Sequence, residues 1–187
     1  MKREEIEGLS DGELVERAVG GQSDMLDCLV NRHYMVVYRI AYKWCGMREN
    51  AEDITQEVFM KAVRAIYGFK GEAAFMTWLY RIAVNTAKDY LRKNAQKAAR
   101  EGAYLEEDQV AGQNGSNADD NPVSAKELYA AIGALSPKLK EAVILVLSEG
   151  LSHREAAHVL GCAETTVSWR IFKAKRVLVK LLDREVG

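Results

Sequence analysis

The central part of the chain lacks the apolar residues that a packed core requires. Residues 109–121 are rich in Gly, Asn and Asp, and Val110 is their only large apolar side chain. Because such a segment buries too little surface to offset the entropy lost on ordering, we expect it to remain flexible. We therefore predict two domains, residues 9–97 and 123–187, joined by a linker over residues 98–122. A flexible linker of this length has an end-to-end distance of about 25–30 Å.

The charge distribution separates the same three parts. Residues 1–97 carry a net charge of +1, residues 98–122 a net charge of −5, and residues 123–187 a net charge of +3. The total charge of −1 therefore conceals an acidic linker between neutral-to-basic ends. The hydrophobic content of 48% is ordinary for a globular protein and excludes a wholly disordered chain.

Apolar residues outside the linker recur with the helical period of about 3.6 residues, and no useful stretch alternates as a strand does. Ser10 and Glu13 have the spacing of a capping box at the start of the first helix. Gly46 ends the second helix. We predict a third helix over residues 51–67 and a fourth over residues 73–98. With only two prolines in the chain, this pattern predicts an all-α fold.

The C-terminal part has the pattern of a helix-turn-helix. Ser152 and Glu155 form a second capping-box pattern, which predicts the start of a short helix. Gly161 then permits a tight turn, and a longer helix begins at Glu164. A short helix, a glycine-containing turn and a longer helix are typical of helix-turn-helix proteins.

The last helix has one apolar row and one polar, basic side. The apolar row, which we expect to be buried, consists of Val167, Ile171, Ala174 and Leu178. Residues 165–184 include six basic side chains and one acidic side chain, and a basic helix of this kind suits the major groove of DNA. The alternative is an ordinary amphipathic terminal helix. The positions that face mostly outward are Thr165, Ser168, Trp169, Phe172, Lys173 and Arg176.

Neither a metal centre nor a catalytic centre is indicated. His153, His158 and Cys162 are possible zinc ligands, but the two histidines are five residues apart and diverge on a helix, and no fourth ligand is spaced nearby. The sequence contains no Gly-rich phosphate loop, no His-Glu-x-x-His motif and no Ser-His-Asp order. We therefore predict a protein that is not an enzyme and that holds no metal or cofactor.

The three cysteines and the first residues of the chain bear on its compartment. Cys28, Cys45 and Cys162 form no CxxC pair, so we expect buried free thiols rather than disulfides. No apolar stretch follows the charged residues at the start, and the longest run of apolar residues, 142–147, is far shorter than a bilayer span. We expect a cytoplasmic protein without membrane insertion.

Two helices of the N-terminal part carry polar faces with more than one interpretation. The third helix has a face with Glu52, Asp53, Gln56, Glu57 and Lys61, and the simplest interpretation is an ordinary solvated face. The fourth helix mixes basic side chains with nearby aromatic ones, as single-strand nucleic-acid binders do. Its aromatic residues are equally suited to a core.

Three stretches together resemble a known family. The stretch 52–59 (EDITQEVF) is similar to the core-binding helix of bacterial sigma factors, and 75–92 (FMTWLYRIAVNTAKDYLR) to their promoter-melting and −10-recognition helix. Residues 152–176 resemble their −35-binding helix-turn-helix. With these two domains in this order, the chain resembles the extracytoplasmic-function (ECF) subfamily, and its stress-responsive RpoE-like branch in particular.

The resemblance implies a transcription initiation factor that binds core RNA polymerase and promoter DNA. Its implied partners are the clamp helices of the largest polymerase subunit, the flap of the second-largest subunit and a controlling anti-sigma factor. The residues implied to contact polymerase are Asp53, Gln56 and Glu57. The loop at 69–72 is implied to receive a base flipped out of the −10 element. The residues implied to contact this element are Phe69, Lys70, Asn85, Lys88 and Arg92. The residues that the resemblance implies contact the −35 element are Arg170, Phe172, Lys173 and Arg176. From their outward positions we add Thr165, Ser168 and Trp169 to this set.

This chain departs from the family pattern at two positions of its last helix. Family members commonly carry a basic residue where Ser168 stands and a small residue where Trp169 stands. The −35 preference therefore cannot be copied from relatives. An alternative of another class is a one-component helix-turn-helix regulator with a helical ligand-sensing N-terminal domain.

Overall fold

The computed structural model describes residues 6, 8–101 and 125–182. Within these residues it contains eight α-helices and no β-strand, which confirms the predicted all-α class. The chain divides into two compact units, at residues 1–102 and 103–187. Most of the predicted linker, residues 102–122, lies outside the described residues, so its flexibility stays a prediction.

The described part of the N-terminal unit contains a bundle of four helices. Helix α2 packs against α1, α3 and α4, and α3 also packs against α4. The largest side chains sealed inside include Leu14, Ile40, Ile54 and Leu79, which come one from each helix. The helices are α1 (Asp11–Val19), α2 (Asp24–Cys45), α3 (Arg48–Ala65) and α4 (Phe75–Glu101), with a 3₁₀ turn at Ile66–Gly68.

Local signals set the helix ends of this unit. The Ser10 hydroxyl accepts a hydrogen bond from the Glu13 N–H at 3.3 Å, and Glu13 Oε2 accepts one from the Ser10 N–H at 2.8 Å, so the predicted capping box is present. Gly46 ends α2 in the left-handed region, with φ of 72°. Helix α3 begins at Arg48 rather than at the predicted residue 51, because the chain re-enters helical geometry directly after this turn.

The C-terminal unit packs three elements against its last helix. Helix α8 lies against α5, α6 and α7. After α6 the chain continues as a π-helical turn at Ile144–Ser148, closed by a hydrogen bond from the Glu149 N–H to the Ile144 carbonyl. No pattern in the sequence predicts this turn. The helices are α5 (Ala125–Gly133), α6 (Pro137–Val143), α7 (His153–Leu160) and α8 (Glu164–Leu182).

The turn between α7 and α8 follows the sequence prediction closely. Ser152 and Glu155 form a capping box at the start of α7. A hydrogen bond with the Ser152 hydroxyl and, to a smaller extent, one with the Ser152 backbone N–H hold the pKa of Glu155 below its ordinary value. Gly161 ends the helix with φ of 62°, a left-handed conformation that favours glycine. Helices α7 and α8 therefore form the predicted helix-turn-helix.

Two remaining expectations concern the thiols and the membrane. Cys28, Cys45 and Cys162 are free thiols, but all three are partly exposed, so the expectation of buried cysteines is wrong. Cys28 and Cys45 lie on α2, and Cys162 lies in the turn between α7 and α8. In the described part of the chain, no helix combines the length and the apolar character that a bilayer span requires.

Candidate nucleic-acid interface

The outer face of α8 presents two aromatic side chains and two cations. Trp169 is 56% exposed and Phe172 is 61% exposed, although both are large and apolar. The Lys173 ammonium lies 4.9 Å from the centre of the Trp169 ring, and the Arg176 guanidinium lies 5.7 Å from the centre of the Phe172 ring. Each cation is therefore held over the aromatic ring one helical turn before it.

These side chains surround a shallow groove of about 290 Å³ on α8. Its apolar floor and cationic edge suit a ligand that offers both flat or methyl-bearing surface and negative charge, and a nucleic acid offers both. The opposite row of α8 is buried as predicted, with Val167 and Ala174 fully enclosed. The groove is lined by Trp169, Phe172, Lys173, Arg176, Val177 and Lys180.

The first two turns of α8 place Thr165 and Ser168 differently. Thr165 is exposed and extends the outer face. Ser168 is also exposed, but its hydroxyl lies 2.8 Å from His153 Nδ1 and donates to the Glu164 carbonyl at 3.1 Å. Sequence reasoning missed His153 as a neighbour of this face, because only the packing of α7 on α8 brings the two residues together.

Arg170 is not brought to the outer face. Its side chain is 13% exposed, and its Nη1 lies 3.9 Å from Oε2 of Glu141, which is 10% exposed on α6. The ion pair thus lies between α6 and α8, in the interior of the C-terminal unit. The geometry favours a packing role for Arg170 over the DNA contact that the resemblance implies.

Replacing Arg170 by alanine is expected to destabilise the C-terminal unit by about 2 kcal/mol, because it removes the cation that faces a mostly buried carboxylate. Hydrogen exchange followed by mass spectrometry should show the most protected amides of α6 and α8 exchanging about 30-fold faster. Lys173→Ala is the matched control, since Lys173 is exposed, and it should leave these rates unchanged. Unchanged exchange in R170A would contradict the packing role.

Helix α4 carries a row of basic and polar side chains toward its C-terminal end. Asn85 and Arg92 are exposed, Lys88 is partly exposed, and Arg92 pairs with Asp89 at 3.0 Å. Further along α4 lies a shallow groove of about 360 Å³, and its lining is also mostly basic. Its lining residues are Lys93, Gln96, Lys97 and Arg100.

The loop before α4 contributes one aromatic and one cation. Lys70 is exposed. Phe69 is partly buried, with its ring centre 5.3 Å from that of Trp78 and 6.0 Å from that of Phe75, which is itself buried. Phe75 is therefore core, while Phe69 and Trp78 form a partly exposed cluster at its edge.

The polar face of α3 is connected to α4. The Tyr90 hydroxyl donates to Asn50 Oδ1 at 2.9 Å and lies 3.5 Å from Oδ2 of the exposed Asp53. Glu57 pairs with Lys61 at 2.8 Å, and Lys61 in turn donates to the Thr86 hydroxyl at 3.1 Å. Two side-chain links thus hold this face against the helix that carries the basic row.

Gln56, exposed on the same face, lies at the margin of an apolar groove between α2 and α3. The groove has a volume of about 520 Å³, and the exposed Met60 forms part of it. Sequence reasoning missed this groove because its walls come from two helices. Its lining residues are Val30, Tyr34, Gln56, Phe59, Met60, Val63 and Arg64.

Both units match known families. The family model described as Sigma-70 region 2 matches residues 29–97, and the one described as Sigma-70, region 4 matches residues 125–178. Among curated proteins, the ECF RNA polymerase sigma-E factor of Haemophilus influenzae is 37% identical over 180 residues, covering 92% of this chain and 95% of the relative. The RNA polymerase sigma-H factor of Pseudomonas aeruginosa is 32% identical, covering 92% of this chain and 94% of the relative.

Solved structures with the same fold come from complexes. CnrH, solved in complex with the cytosolic domain of CnrY, has a TM-score of 0.69 and 26% identity, covering 93% of this chain and 97% of that one. The sigma factor RpoE of Bartonella quintana, solved with the anti-sigma factor NepR, has a TM-score of 0.70 at 24% identity, covering 84% and 96%, and supports the fold. By these matches over nearly its full length, the chain belongs to the extracytoplasmic-function subfamily of bacterial RNA polymerase sigma factors.

Proposed function

We propose that this protein is a transcription initiation factor that binds core RNA polymerase and directs it to promoters by reading their −10 and −35 elements. The observation that carries the proposal is the exposed aromatic and cationic face of α8 on a helix-turn-helix, in a chain whose two units match sigma regions 2 and 4. The protein performs no chemistry of its own in this role. Its place of action is the cytoplasm, where the polymerase and the chromosome are.

In this proposal the outer face of α8 enters the major groove at the −35 element. Thr165, Trp169 and Phe172 face base edges, while Lys173 and Arg176 reach phosphates or bases. Ser168 lies at the margin of this contact, because its hydroxyl is engaged by His153. Arg170 supports the helix from inside.

The N-terminal unit acts at the −10 element. Asn85, Lys88 and Arg92 follow the DNA along α4, and the loop with Phe69 and Lys70 receives a base that leaves the helix. Capture of one base offsets part of an unstacking cost of a few kcal/mol, which nucleates strand opening. The partly exposed ring of Phe69, backed by other aromatics, supports this role because it offers a stacking surface.

The polar face of α3 docks on core polymerase in this proposal. Asp53 and Gln56 are exposed and contact the clamp helices of the largest subunit, and Glu57 contributes through its pair with Lys61. The C-terminal unit contacts the flap of the second-largest subunit. The two contacts place the two units over separate promoter elements.

An anti-sigma factor completes the set of partners. The solved relatives CnrH and RpoE are each described in complex with another protein, and NepR is described as an anti-sigma factor. The apolar groove between α2 and α3 supports such control, because it offers apolar surface beside the proposed polymerase face. A chromosomally tagged copy should co-purify with such an inhibitor. Recovery of polymerase subunits alone would argue against stable inhibition.

Run-off transcription over a genomic library tests the proposed function directly. Core polymerase supplied with this protein should initiate at a defined set of sites, and core polymerase alone should not. The free protein, with its net charge of −1, should bind the same promoters weakly. A one-component regulator predicts the opposite result: specific DNA binding by the free protein and no initiation with core polymerase.

A further inference from the structure

The second turn of α8 offers few free hydrogen-bonding side chains on the outer face of the helix. The Ser168 hydroxyl is already engaged with His153 and with the Glu164 carbonyl. The Arg170 guanidinium faces Glu141 inside the unit. The second turn of α8 therefore presents chiefly the Trp169 ring, which is 56% exposed.

The exposed ring lies among groups that keep it pointing outward. Lys173 covers one part of the indole at 4.9 Å, and the next turn repeats the arrangement with Phe172 and Arg176. The lysine and the arginine reach charged or acceptor groups, but neither ring can donate to a base acceptor through its face. The faces of both rings therefore offer apolar contact, whereas the indole N–H of Trp169 can donate only at the ring edge.

The major groove offers one apolar group on its base edges, the 5-methyl group of thymine. We propose that Trp169 determines −35 specificity by packing against a thymine 5-methyl group, so that this helix selects a T·A pair by its methyl rather than by a bidentate hydrogen bond. The inference deepens the proposed function and rests on it, because it assigns a base class to the same face of α8.

The size of the effect follows from burying one methyl group. Loss of one such contact is expected to weaken binding about three- to fivefold. This effect is local to one base pair. Loss of a phosphate contact, in contrast, weakens binding to every sequence about equally.

Base analogues that differ by the methyl group alone test the proposal. A promoter recovered by run-off transcription is prepared with each −35 thymine replaced in turn by deoxyuridine, and binding by the holoenzyme is measured by competition. The wild-type holoenzyme should lose affinity by about three- to fivefold at one or two of these positions. The holoenzyme with Trp169→Ala should bind the thymine and deoxyuridine promoters equally at the position that Trp169 reads.

A reciprocal exchange gives a second readout. Cytosine placed at the sensitive position should weaken binding, and 5-methylcytosine should restore part of the loss for the wild type but not for W169A. Val179→Ala is the matched control, since Val179 is also 56% exposed on α8 but does not line the groove, and it should keep the full deoxyuridine effect.

Several results would overturn the assignment. They are a −35 element without thymine, no deoxyuridine effect in the wild type, or the same effect in W169A as in the wild type. The wild-type measurement needs no variant, so the proposal is testable even if W169A folds poorly. Absence of initiation with core polymerase is a different result: it contradicts the proposed function, and the inference falls with it.

Discussion

Replacing Lys173 and Arg176 together by alanine is expected to weaken holoenzyme binding to promoter DNA about 100-fold. Both cations lie on the outer face of α8, beside aromatic rings that fix their positions. A hydrogen bond to a charged group contributes about 1.5 kcal/mol, so two contacts contribute about 3 kcal/mol. Competition binding of the purified holoenzyme to a recovered promoter measures the loss.

The salt dependence of binding separates a direct contact from an indirect effect. Removal of two phosphate contacts should make the slope of log K against log salt shallower by about 1.8. Lys138→Ala combined with Lys175→Ala removes the same charge from exposed positions of the same unit and serves as the control. If the control lost as much affinity and slope as the α8 double variant, the assignment of the DNA-reading face would be contradicted.

The parts of this structure that the sequence predicted are those set by local chemistry. Both capping boxes depend on a hydroxyl and a carboxylate three residues apart, and they form where the spacing indicated. Gly46 and Gly161 end helices in the left-handed conformation that glycine favours. The helical period of the apolar residues was sufficient for the fold class because no other local signal competed with it.

The features that the sequence did not reveal depend on contacts between helices. The Ser168 hydroxyl meets His153 only through the packing of α7 on α8. The apolar groove beside Gln56 has walls from both α2 and α3. The positions of these groups follow from tertiary packing, which a pattern along one helix does not contain.

The position of Arg170 depends partly on the local helical period and partly on a contact between helices. It lies three residues after Val167 and four before Ala174, so the helical period alone places it beside the buried row. Only the resemblance assigned it to DNA. The acidic partner that permits burial, Glu141, comes from another helix, and only the structure brings it within 3.9 Å.

Replacing Asp53 and Gln56 together by alanine is expected to lower the affinity for core polymerase about 30-fold, which corresponds to about 2 kcal/mol. Both side chains are exposed on one face of α3, and neither contributes to the core of the N-terminal unit. The loss should therefore occur with only a small change in stability, from the 3.5 Å contact between Asp53 and the Tyr90 hydroxyl. Titration of core polymerase with labelled protein measures the affinity, and Glu49→Ala, an exposed acidic position on the same helix, is the control.

The concentration dependence of transcription then distinguishes the two double variants. If Asp53 and Gln56 act only in assembly, a sufficient excess of the D53A/Q56A protein should restore run-off transcription, because its DNA-reading helices are intact. The K173A/R176A protein should assemble normally and stay deficient at saturating concentration, because its defect lies in the promoter complex. Normal assembly of D53A/Q56A would contradict the assignment of this face of α3 to polymerase binding.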